Sequence, residues 1–119
     1  MAVPKKDTED LNRSLMEYEN LEKQLEVILI QKHQMEIQKN EIKHALDALK
    51  TATGEVYRNV GSIVLHTTKD QAVKDLSERD ELLEVKLNAV SKQEEKLRAT
   101  VTDYQRKLQE KMKEYRGAQ

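Results

Sequence analysis

The chain has 119 residues, of which 36% are charged and only 3% aromatic, with no Phe, Trp or Cys. Lys plus Arg, 21 in all, nearly balance 22 Asp plus Glu, for a net charge of -1. That balance, with acids interleaved among the bases along the chain, argues against the clustered positive field a nucleic-acid backbone requires, and the absence of Cys excludes disulfides, thiolate nucleophiles and thiolate metal sites and fits a reducing cytoplasm.

A single structural unit built of long helices is expected at this length and composition, with a thin core. Disorder is the alternative for so charged a chain, but the charges cancel and the apolar residues are periodic. The opening MAVPKKDTEDL offers no apolar stretch suited to a signal peptide. The longest apolar run, Val27 to Ile30, falls far short of the ~20 residues a membrane-spanning helix needs. The expectation is a soluble, cytoplasmic protein that contacts neither nucleic acid nor membrane.

A first helix is predicted over about residues 8–53. Apolar or tolerated residues recur at Leu11, Leu15, Tyr18, Leu21, Leu25, Ile28, Lys32, Met35, Lys39, Ile42, Leu46 and Leu49. Beyond Leu21 the spacing alternates four and three, a heptad seam with lysines at two core positions. Leu15, Tyr18 and Leu21 are spaced three and three, a stammer that predicts local overwinding. Gly54 suits the left-handed position that ends a helix.

Residues 55–67 change character. Val56, Tyr57, Val60, Ile63, Val64 and Leu65 are strand formers, and Gly61-Ser62 suits a two-residue hairpin turn. Val60 then faces Ile63, Arg58 faces Leu65 and Val56 faces Thr67. One face carries Val56, Val60, Ile63 and Leu65; the other carries Tyr57, Asn59, Val64 and His66. A lone two-stranded hairpin is marginal in water, and this one has apolar groups on both faces and two unpaired edges. Hairpins from several chains can remove those edges by closing into a barrel. An oligomer is expected, with Val56, Tyr57, Val60, Gly61, Ile63, Val64 and Leu65 as its assembly residues.

A second helix is predicted over about residues 69–116. Thr68 with Gln71 makes a capping box, and the seam runs regularly through Val73, Leu76, Asp80, Leu83, Leu87, Val90, Glu94, Leu97, Val101, Tyr104, Leu108, Lys111 and Tyr115. Antiparallel pairing about the hairpin sets Leu49 opposite Val73, Leu46 opposite Leu76, Met35 opposite Leu87, Leu25 opposite Leu97 and Tyr18 opposite Tyr104. A slip of one heptad also buries leucines. The expected fold is mainly α: a single domain over residues 1–119, an antiparallel two-helix coiled coil (helix, β-hairpin, helix) whose hairpin contributes to an oligomeric β-barrel.

The stretch VYRNVGSIVLHTTKDQA, flanked by heptad helices of equal length, resembles the beta class of prefoldin subunits, specifically the archaeal type. Its most specific part is Val56, Tyr57, Arg58, Val60, Gly61, Ile63 and Val64. A single hairpin matches the beta class, whereas the alpha class carries two. The resemblance implies a heterohexamer of two alpha and four beta subunits with a double β-barrel body. Six coiled coils project from it, hold unfolded proteins without ATP and deliver them to a group II chaperonin.

In that arrangement Leu11, Leu15, Met16, Leu108, Met112 and Tyr115 gather at the coiled-coil end and are the candidates for unfolded-protein binding. Plain seam packing is the simpler reading of Leu15 and Leu108. Met16, off the seam, and Met112, beside Lys111, fit it less well, and flexible Met side chains suit adaptable apolar surfaces. His33, His44 and His66 have no local partner spacing, so no metal is expected. No phosphate-binding loop, cofactor constellation or concave acid-base site is visible, which argues against an enzyme. Lys32, Lys39, Asp80 and Glu94 in the seam are suited to set register and partner choice. Off-seam Ile30 and Ile37 mark either a subunit contact or chance exposure. A structural coiled-coil scaffold is the competing function.

Overall fold

Heptad spacing on both sides of a strand-forming segment gives two long helices joined by a hairpin. In the computed structural model, α1 spans Lys5–Lys50, β1 Val56–Val60, β2 Ile63–Thr67 and α2 Lys69–Ala118. The structure describes the backbone over residues 5–118 and side chains over residues 8–117. The first residues of the stretch read for a signal peptide, Met1 to Pro4, lie outside them. No described helix is long and apolar enough to cross a membrane. The chain divides into two compact units, a terminal unit (Met1–Gln31 with Val90–Gln119) and a hairpin unit (Lys32–Ala89).

In the terminal unit Leu11, Tyr18, Leu21, Leu25 and Ile28 are half-buried, as are Leu97, Val101 and Tyr104. Val90 and Leu108 are buried. Ser14 is buried too, at 8% exposure, while Leu15 is only half-buried beside it. The seam therefore runs Leu11, Ser14, Tyr18, Leu21, Leu25, an unbroken alternation of three and four. The expected stammer is absent from it. A serine can hold this core position because its hydroxyl oxygen accepts a hydrogen bond from Lys111 Nζ at 2.8 Å, which satisfies the polar group on burial.

In the hairpin unit Ile42 is buried, and Lys32, Met35, Lys39, Leu46, Leu49, Leu76, Asp80, Leu83 and Leu87 are half-buried. Lys39 Nζ lies 3.1 Å from Asp80 and 3.0 Å from Glu84. These acids flank Leu83, the residue that the expected register sets opposite Lys39; a one-heptad slip would bring Leu76 or Val90 there instead. The Ser14–Lys111 contact agrees, since Lys111 is one turn past Leu108, the residue set opposite Ser14.

The first helix ends at Lys50, earlier than the sequence suggests. Gly54 does take a positive φ of 100°, but four residues later, where it turns the connector toward β1. The last carbonyls of α1 are met by other means. Thr51 Oγ1 makes a long 3.5 Å contact to the Ala48 carbonyl, the Ala52 N–H donates to Leu49 at 3.3 Å, and Lys69 Nζ donates to Lys50 at 3.2 Å. At the start of α2 the Gln71 N–H donates to Thr68 Oγ1 at 3.1 Å, the Thr68 half of the capping box. The Gln71 side-chain amide donates forward to Asp75 at 2.9 Å.

Candidate functional site

β1 and β2 pair antiparallel in the register Val56–Thr67, Tyr57–His66, Arg58–Leu65, Asn59–Val64 and Val60–Ile63. Gly61 has φ of 60°, and among the described residues none other than glycine has positive φ. Positive φ at the first central residue alone defines the type II′ turn, whose twist matches the strands it joins.

The hairpin is joined to the helices at its base and bare beyond it. Val56 and Thr67 are half-buried and border a groove of about 340 Å³ floored by Ala45, Ala48, Ala52 and Ala72. Arg58 Nη1 donates to Asp75 Oδ2 at 3.4 Å, while Gln71 holds the other oxygen of that carboxylate. Asp75 thus ties the strand to α2. Tyr57 next to this anchor, and Val60, Ile63, Val64 and Leu65 farther along the hairpin, are all 46–61% exposed. Gly61 at the turn is exposed as well. The Tyr57 ring meets His66 edge-on, with centroids 5.6 Å apart and an interplanar angle of 69°. Its hydroxyl donates to the Glu55 carboxylate, and that bond, with a smaller contribution from burial, raises the Tyr57 pKa above the ordinary tyrosine value.

The second candidate surface lies in the terminal unit. Met16 is 71% exposed and Met112 is 39% exposed. Leu11, Leu15 and Tyr115 are half-buried, and Leu108 at 5% is the least exposed apolar side chain described. Methionines are therefore presented at the surface, whereas Leu108 is available only when the helices part. On the outer face of α2 here, Asp103 accepts from Lys107 and Arg106; the Lys107 hydrogen bond is the main reason its carboxyl is held below the ordinary aspartate value.

Sequence reasoning missed Ser14, the Arg58–Asp75 tie and the exposed Leu82 and Val85 on α2. Ser14 could have been found by weighting heptad spacing above hydrophobicity. Off-seam Ile30 and Ile37 are about half exposed. Among the described residues no group of three or more His, Asp or Glu is placed to hold a metal ion.

These features define a helix–hairpin–helix protein with heptad-seamed helices and a single exposed apolar hairpin. The chain belongs to the prefoldin subunit family, whose model matches residues 12–115. It is similar to the prefoldin subunit beta of Pyrococcus horikoshii, with 35% identity over 97 residues, covering 80% of this chain and 83% of that one. The prefoldin subunit beta of Caldivirga maquilingensis is 33% identical over 119 residues, covering 98% and 95%. The crystal structure of the prefoldin beta subunit from Thermococcus strain KS-1 superposes with a TM-score of 0.77 at 32% identity, over 92% of this chain and 94% of that one. Family membership makes this a chaperone-type subunit of a multi-subunit complex.

Proposed function

We propose that the chain is a beta-class subunit of a cytoplasmic, ATP-independent holdase, which binds unfolded proteins at coiled-coil tips and delivers them to a group II chaperonin. The observation that carries this reading is the hairpin. Five large apolar or aromatic side chains stand about half or more exposed on a two-stranded sheet with open edges, an arrangement that favours pairing with other strands. Full burial of each such side chain is worth about 1.5–3 kcal/mol. Val56, Tyr57, Val60, Gly61, Ile63, Val64 and Leu65 build a β-barrel body with an alpha-class partner and further beta subunits, two alpha and four beta in all. Leu11, Leu15, Met16, Leu108, Met112 and Tyr115 bind the unfolded chain.

Two measurements on the complex reconstituted with an alpha-class partner test this. Native mass spectrometry should give a hexamer that suppresses aggregation of a chemically denatured model protein without ATP. Replacing Val60 and Ile63 together by Asp should leave helical monomers or dimers that no longer suppress it. A hexamer that survived the double substitution would remove the hairpin from assembly. A wild-type hexamer without suppression would refute the holdase reading.

A further inference from the structure

We infer that Ser14 and Lys111 form a polar break in the terminal seam that keeps the Leu108 contact easy to open, and so sets how readily the tip exposes its apolar residues. The inference rests on the binding role proposed for the terminal unit.

Leu108 is buried, so an unfolded chain can reach it only after α1 and α2 separate locally. What the separation costs depends on the neighbouring seam positions. Ser14 holds a core position, and among the described residues it is the only buried polar one. Its partner Lys111, itself at a seam position, donates to it at 2.8 Å. Both groups exchange this bond for water when the helices part, so little is lost. A leucine in place of Ser14 would instead lose its burial on opening, shifting the balance toward the closed tip by roughly tenfold to a hundredfold.

The pair also fixes alignment while the tip is closed. It draws Lys111 across the seam beside Leu108, and Ser14 itself commits no apolar side chain to the seam there. Seam polar residues can set register at some cost in stability. Here the loss of stability is confined to the part of the chain where opening is useful.

The test compares wild type, Ser14→Leu, Lys111→Leu and Ser14→Thr in the assembled complex, by amide hydrogen exchange and by aggregation suppression. Exchange over residues 8–18 and 104–115 should slow at least roughly tenfold in Ser14→Leu, and suppression should fall with it. Lys111→Leu should shift both in the same direction, and gives the answer if Ser14→Leu assembles poorly. Ser14→Thr keeps the hydroxyl and should stay near wild type in both. Slowed exchange with full suppression would overturn the inference, as would unchanged exchange in both leucine variants. A wild-type complex that failed to suppress aggregation would instead refute the proposed function, leaving the exchange result to judge the polar break alone.

Discussion

Lys39 sits in the seam of the hairpin unit, and its position is tolerable because its amine meets Asp80, itself a seam residue, and the exposed Glu84. The hydrogen bonds it donates, to Glu84 first and Asp80 second, raise its pKa above the ordinary lysine value. A cation whose pKa is raised on folding contributes stability fully below its unfolded pKa, about 10.4 for lysine, and loses it as pH climbs through the folded value. Thermal melts should therefore show wild type losing stability above about pH 10 more steeply than Lys39→Met. Parallel slopes would mean that the bridge contributes nothing. At the start of α2 the effect of a single group is simpler. Thr68→Ala removes the acceptor of the Gln71 N–H and should cost about 1 kcal/mol in urea unfolding, whereas Asp at the same position should cost much less.

Among the elements, the hairpin has the least support and so depends most on its turn. Gly61 has positive φ, and a Cβ placed there would meet nothing within 4 Å. The penalty of Gly61→Val is thus conformational rather than steric crowding, on the order of 1–2 kcal/mol. In a two-stranded sheet that is marginal by itself, this should loosen residues 56–67 in hydrogen exchange and lower the hexamer fraction in native mass spectrometry. Helicity by circular dichroism should hold. A full yield of hexamer would show that assembly tolerates a distorted turn.

The same element was the most legible in the sequence. Two-residue turns and period-two alternation fix every cross-strand pair once Gly61-Ser62 is placed, and Val60–Ile63 through Val56–Thr67 follow. Most seam positions were legible for the same reason, because leucine recurring every three and four residues places one apolar stripe along a helix. Ser14 was not. A small polar core residue carries no hydrophobic signal, and adjacent Leu15 outweighs it. The end of α1 depends on Lys69, 19 residues away in sequence, and the hairpin anchor pairs Arg58 with Asp75. Neither contact leaves a local pattern to read.

At the scale of the whole chain, the candidate residues separate by unit. All seven assembly residues fall in the hairpin unit, and all six binding candidates fall in the terminal unit. If the two tasks are as separate as the two sets of residues, shortening the terminal unit should remove one and spare the other. Deletion of residues 1–14 and 109–119 takes away Leu11, Met112 and Tyr115 together with the Ser14–Lys111 pair, and leaves Leu15, Met16 and Leu108 at frayed helix ends. Every contact that anchors the hairpin, from Lys69 to Lys50 and from Arg58 to Asp75, lies outside the deleted segments. Native mass spectrometry should accordingly find a hexamer lighter only by the deleted residues. Its suppression of aggregation should fall to the level of buffer, because three of the six binding candidates, Leu11, Met112 and Tyr115, are gone. Full suppression by the truncated hexamer would move the binding surface off the terminal residues, with Leu82 and Val85 in the hairpin unit as the next exposed pair to substitute. A truncated chain that failed to assemble would show that the terminal seam also stabilises the hairpin unit.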